Sequence, residues 1–113
     1  MYTNERMNEG LSRVYQFSSE LFGDKLEAVI LFGSYARRDF DGESDIDIMI
    51  IVDMDATELS PYKYEFDHFG TALDLEYGIY HSFTIQDKAT FERWKGTIPF
   101  YKNIVVDGVS VNV

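Results

Sequence analysis

The chain has 113 residues, no cysteine and a formal net charge of −10. That length suits one domain with a core that needs no staples. The missing cysteines exclude a disulfide framework, a thiolate metal site and a thiol nucleophile. Apolar residues make up 45% of the chain and aromatics 16%, too many for a disordered segment. The acidity argues against a nucleic-acid partner for this chain alone, because such binding rests on Lys and Arg neutralising phosphate. Met1-Tyr2-Thr3-Asn4-Glu5-Arg6 lacks the apolar core of a signal peptide, and Ile48 to Val52 is far too short to cross a bilayer. The expectation is a soluble cytoplasmic protein without membrane contact.

No repeat, linker or low-complexity segment interrupts the chain. Met7, Leu11, Val14, Ser18, Leu21 and Phe22 recur at helical spacing, predicting a helix over Asn4 to Phe22, with Thr3 as N-cap and Gly23 as its end. Leu26 to Phe32 reads as a strand covered on both faces, since Ala28-Val29-Ile30-Leu31 is continuously apolar. A short helical turn follows through Tyr35, Ala36 and Arg37. Ile46 to Val52 is the second strand. Ser60-Pro61 opens a helix, Ser60 as N-cap, with Tyr62, Phe66, Phe69 and Leu73 as its buried stripe. Leu73 to Ile85, rich in aromatic and β-branched residues, predicts a long third strand. Asp87 caps a short helix containing Phe91 and Trp94. Another begins at Ile98-Pro99 and ends near Gly108, and Val109 to Val113 is a final edge strand or tail. The fold class is therefore α/β (α+β): a small mixed sheet flanked by helices, in one domain.

The chemistry concentrates in Leu31-Phe32-Gly33-Ser34 and, after a spacer of about ten residues, Asp45-Ile46-Asp47. Residues i and i+2 of a strand point to one face, so Asp45 and Asp47 project side by side at a strand mouth. Two carboxylates that close repel unless a cation lies between them. Their hard oxygens suit Mg²⁺, with Mn²⁺ as an alternative. Gly33 clears space for close backbone approach, and Ser34 offers a hydroxyl beside amides that can cradle an anion. A phosphate cradle beside a metal dyad is a site for a nucleoside triphosphate. Arg37 and Arg38 are either phosphate contacts or a surface pair balancing Asp39, Asp41 and Glu43. Those three acids imitate a calcium-hand loop, but its glycine position falls on Ser44 and its final glutamate on Ile50.

This arrangement of apolar strand, Gly-Ser, spacer and Asp-x-Asp resembles the signature of the DNA polymerase beta-like nucleotidyltransferase superfamily, and the short chain resembles its minimal (MNT-type) members. The resemblance is sharp from about Val29 to Val52. It implies a nucleotidyltransferase fold and transfer of a nucleoside monophosphate from Mg²⁺-bound triphosphate to a hydroxyl. Asp45 and Asp47 would hold the metal, and Gly33 and Ser34 the phosphates. The minimal family includes antitoxins that adenylylate a helical toxin. The leading expectation is thus transfer of AMP to a partner protein, ahead of an aminoglycoside-like small acceptor. The partner would be a small toxin-like helical protein, or a further copy of the chain.

The family also carries a third acid in a later strand. If Leu73 to Ile85 is one strand, positions 74, 76, 78 and 80 share a face. Position 78, a natural place for that acid, is Gly78. Glu76, or else Asp74, is then the candidate third metal ligand and catalytic carboxylate. His68 and His81 are expected to be surface and structural residues, and Phe91, Trp94, Phe100 and Tyr101 core or partner-facing. The rival function is a nucleotidyltransferase-fold binding module that acts by docking a partner.

Overall fold

The computed structural model describes residues 4–112. Four strands form one mixed sheet in the order β3-β2-β1-β4. β1 (Leu26–Phe32) and β2 (Ile46–Val52) run antiparallel, with Leu31 opposite Ile48 and Phe32 opposite Asp47. β3 (His81–Asp87) runs parallel to β2, and the two-residue β4 (Val109–Ser110) closes the other edge against β1. β2 is interior and covered on both faces, which is why Ile48-Met49-Ile50-Ile51-Val52 is apolar without alternation.

Two helices cover one face. α1 (Asn4–Phe22) and α3 (Ser60–Tyr77) pack over Ile46, Ile48, Ile50 and Val52 in the larger apolar cluster. α1 presents Leu11, Val14, Ser18 and Phe22, and the Ser18 hydroxyl satisfies itself on the Val14 carbonyl at 2.8 Å. α3 presents Phe66, Gly70, Leu73 and Tyr77, spaced four, three and four apart. Gly70 lets the helix close on the Phe83 ring, which a Cβ would meet at 2.8 Å. Phe66 and Leu73 are fully buried. Each such side chain contributes roughly 1.5–3 kcal/mol of burial. Phe17 stacks on Phe69 at 4.1 Å, tying the two helices together.

Two shorter helices, α4 (Lys88–Trp94) and α5 (Pro99–Asp107), cover the other face, where Met49, Ile51, Phe91 and Ile104 form a second cluster. The Asp87 carboxylate accepts from the Thr90 amide at 2.9 Å and caps α4, as its sequence position foretells. α2 (Gly33–Arg37) joins β1 to the loop before β2.

The elements through β2 follow the sequence expectation. Thr3, expected to cap α1, lies outside the described residues, and α3 has Leu59 rather than Ser60 as its N-cap. The long strand from Leu73 to Ile85 is overturned. α3 continues to Tyr77, Gly78 closes it in the left-handed conformation (φ +69°) with its amide on the Asp74 carbonyl, and β3 begins only at His81. Helical burial of Leu73 and Tyr77 wins over the strand preference of the aromatic residues.

Candidate active site

The sheet sorts its residues by parity. Ile46, Ile48 and Ile50 enter the cluster under α1 and α3, while Met49 and Ile51 enter the one under α4 and α5. Asp47 therefore points to the α5 side, and Asp45 lies two residues earlier, just before β2 begins. Asp45 is exposed and Asp47 half-buried. Across the sheet, Asp47 stands between Phe32 on β1 and Ser82 on β3. Phe100, at the start of α5, meets the Phe32 ring edge-on at 5.9 Å.

The turn from β1 into α2 brings Gly33 and Ser34, the residues expected to cradle phosphate, to this end of the sheet. Gly33 has φ +75°, a conformation L side chains rarely adopt. A Cβ there would collide with the Asp47 carboxylate, so that carboxylate rests on bare backbone. Gly33 is thus required twice, by its dihedral and by its neighbour. Ser34 follows, its carbonyl taken by the Asp39 amide at 3.0 Å.

Burial is the main force raising the Asp47 pKa above the ordinary aspartate value of 3.8; the Asp45 charge adds to it and Arg37 opposes it. Arg37 Nε also donates to Asp39 at 3.1 Å, an exposed pair that leaves the guanidinium near the dyad. Beneath the loop, Tyr35 is buried and stacks on Phe40 at 4.2 Å. Its phenol pKa is raised by burial, then by Asp41 and Asp45. Asp41 is engaged within its own turn, accepting from the Glu43 amide at 2.9 Å and the Ser44 hydroxyl at 3.2 Å.

Of the residues singled out in the sequence, Gly33, Ser34, Arg37, Asp45 and Asp47 gather at one end of the sheet. Arg38, in the left-handed conformation (φ 63°), lines a cleft of about 660 Å³ with Met7, Leu11, Tyr35 and Val109. Glu76 and Asp74 lie on α3, not on a strand. Glu76 accepts from Arg13 of α1 at 2.7 Å. Asp74 accepts from both the amide and Nδ1 of His81, at 2.7 and 2.9 Å, on the side facing away from Asp47. Among the described residues, no three His, Asp or Glu side chains come together as a metal site. Glu76 and Asp74 are therefore not brought to the dyad.

Sequence reasoning missed Ser82 and Phe100 as neighbours of the site. Ser82 could have been found only from the β2–β3 register, which the false third strand concealed. The dyad fits a divalent cation: Asp45 and Asp47 offer hard oxygen donors that repel one another, and the Asp47 carboxylate lies against a backbone with no side chain in the way. Asp45 and Asp47 are the residues that would hold it.

Comparisons with known proteins bear on the family and the fold. The family model described as "Polymerase beta, Nucleotidyltransferase" matches residues 17–111. "Putative protein adenylyltransferase MJ0604" of Methanocaldococcus jannaschii is 36% identical over 84 residues, spanning 74% of this chain and 76% of that protein. The crystal structure of "a putative nucleotidyltransferase from Sulfolobus solfataricus" superposes with a TM-score of 0.61 at 23% identity, over 93% of this chain and 78% of that one. A toxin–antitoxin crystal structure with AMP-PNP gives a TM-score of 0.55 at 18% identity, over 93% of this chain and 72% of that one. With a family match over residues 17–111 and a 36% identical relative covered over three quarters of its length, the chain belongs to the polymerase beta nucleotidyltransferase family.

Proposed function

We propose that the protein transfers AMP from ATP to a hydroxyl group on a partner protein. The observation that carries this reading is the Asp47 carboxylate lying against the bare Gly33 backbone, with the Asp45 charge, just ahead of β2, close enough to act on it. It joins a cation site to a phosphate cradle with no side chain between them. The protein adenylyltransferase relative supports the choice of AMP and of a protein acceptor. The toxin–antitoxin neighbour solved with AMP-PNP is consistent with both.

In this scheme Asp45 and Asp47 hold a divalent cation, Mg²⁺ or Mn²⁺. Bound there, the cation neutralises charge on the triphosphate oxygens. Gly33 and Ser34 orient the β- and γ-phosphates, the latter through its hydroxyl. Arg37 supplies a cationic contact for the departing pyrophosphate. The acceptor oxygen bonds to the α-phosphorus, the bond from that phosphorus to pyrophosphate breaks, and the acceptor loses its proton. The chain's acidity suits a nucleotide that arrives with its own cation, and a protein acceptor with a basic surface.

The test is transfer of radiolabelled AMP from α-labelled ATP to proteins co-purified with the chain, with pyrophosphate release followed in parallel. Label on a partner, lost in an Asp45→Asn/Asp47→Asn variant that folds, supports the reading. Nucleotide binding without pyrophosphate release from the intact complex would favour a docking module instead.

A further inference from the structure

We infer that position 82 is the third-ligand position of this site, and that its serine makes the chain a one-cation nucleotidyltransferase. The inference rests on the assignment of Asp45 and Asp47 as the metal dyad. It concerns how many ions that dyad takes, not which acceptor it serves.

The placement follows from three independent contacts. Ser82 is the residue of β3 opposite Asp47 in a parallel ladder, so their side chains share a face. Phe83 turns the other way, against Phe66 and Gly70 of α3. Gln86, of the same parity as Ser82, accepts from the Tyr101 hydroxyl of α5 at 3.0 Å. The even positions of β3 therefore face α5, as Asp47 does, and Ser82 is the one level with Asp47. It is half-buried, so a group there lies at the site and not in bulk water.

The chemistry follows from residue type. Two-metal sites place their ions about 3.5–4 Å apart and need enough anionic ligands to hold both against mutual repulsion. Two carboxylates balance one divalent ion. A serine hydroxyl is a neutral, weak donor to a hard cation. The other acids in reach by sequence are committed elsewhere: Glu76 to Arg13, and Asp74 to His81 on the opposite face. Among the described residues no third acid joins the dyad.

The experiment uses the metal alone on the full chain. Mn²⁺ is titrated into the wild type and Ser82→Asp, with free Mn²⁺ read by electron paramagnetic resonance. The wild type should take one Mn²⁺ per chain. Ser82→Asp should take a second, or hold the first about tenfold tighter as ligand charge rises. Two ions on the wild type, none on a folded wild type, or unchanged binding by a folded Ser82→Asp, would each overturn the inference. Should Ser82→Asp not fold, Ser82→Cys serves, because the chain has no other thiol. Cd²⁺ added to Ser82→Cys should give a thiolate-to-metal ultraviolet absorption that weakens when Asp47→Asn is added. Its absence would show that position 82 does not reach the dyad. None of these readouts needs an acceptor, so a failed AMP-transfer assay leaves them intact, and the reverse also holds.

Discussion

Replacing Gly33 with Ala probes the dyad without touching a carboxylate. Gly33 sits at φ +75°, and Gly78 at φ +69°, so an L side chain strains the backbone at either position. That strain costs about 1–2 kcal/mol. The two sites differ in what surrounds the new methyl. Nothing lies within 4 Å at Gly78, whereas at Gly33 the Asp47 carboxylate oxygen is in collision, and the Asp47 Cγ and Cβ would stand at 3.2 and 3.4 Å. Asp47 cannot clear the methyl by turning its terminal oxygens alone. Driving its χ1 off a rotamer adds about 0.5–1.5 kcal/mol. Gly33→Ala should therefore destabilise by about 2–3 kcal/mol, lowering Tm by roughly 10 °C, and Gly78→Ala by about 1–2 kcal/mol. Paired urea unfolding curves measure both, and a Mn²⁺ titration measures the dyad. Gly33→Ala should lose most of its Mn²⁺ affinity, while Gly78→Ala keeps it. Equal destabilisation in the two variants, with Mn²⁺ binding retained in both, would refute the claim that Gly33 is there for Asp47.

Asp47→Asn should stabilise the metal-free fold at neutral pH. The folded carboxylate titrates above 3.8, held up first by burial and then by Asp45, so its charged form opposes folding. That penalty is absent below the unfolded pKa and grows as pH rises through the folded one; unfolding curves at pH 3 and pH 7 should show the asparagine's advantage only at the higher value. Asp74→Ala should destabilise by about 1–3 kcal/mol, because the buried His81 loses the partner of its Nδ1 and its amide, and its Nε2 already has none. Glu76→Gln removes only an exposed pair with Arg13 and should change stability by less than about 1 kcal/mol. Neither of these last two should alter Mn²⁺ affinity, and a tenfold loss in either would restore that residue as a ligand. Gly70→Ala should destabilise by about 1–3 kcal/mol through overpacking against Phe83, visible as an earlier thermal transition.

The first half of the molecule was legible because each local cue agrees with its neighbours. Apolar runs fix β1 and β2, Gly23 ends α1, and the Gly33-Ser34 turn and the Asp-x-Asp spacing fall where the antiparallel pair brings them together. The passage from α3 to β3 was misread because two patterns overlap there. Leu75, Tyr77, Ile79 and Phe83 look like a strand by composition, yet Phe66, Gly70, Leu73 and Tyr77 continue the helical stripe. The helix holds that segment because Leu73 and Tyr77 complete its buried face and Gly78 supplies the left-handed residue that ends it. Eight residues wrongly given to the strand placed Glu76 and Asp74 on a sheet face they never reach. Parallel register, which sets Ser82 beside Asp47, is a property of pairing between distant segments and leaves no mark in local periodicity.

Strand order explains why so small a chain can concentrate its chemistry at one point. β2 carries Asp47, with Asp45 just before it, and among the described residues is the only strand flanked on both sides along its length, by β1 and β3. One row across the sheet at the level of Asp47 therefore reads Phe32, Asp47, Ser82: an apolar residue that seats α5, a carboxylate, and a neutral hydroxyl. The Gly33 turn springs from the first, so the proposed phosphate cradle is covalently fixed to the residue beside Asp47, the proposed metal ligand. The opposite end of the row lies on β3, which among the described residues is an edge strand. An acceptor brought to the dyad from that edge meets Ser82 before it meets Asp47. If Asp45 and Asp47 are both committed to a single cation, the proton released by the acceptor hydroxyl passes to water or to a base carried by the acceptor itself. A site built this way would make transfer depend on which partner is docked, and the Ser82→Asp variant would loosen that dependence by supplying a carboxylate from the chain itself.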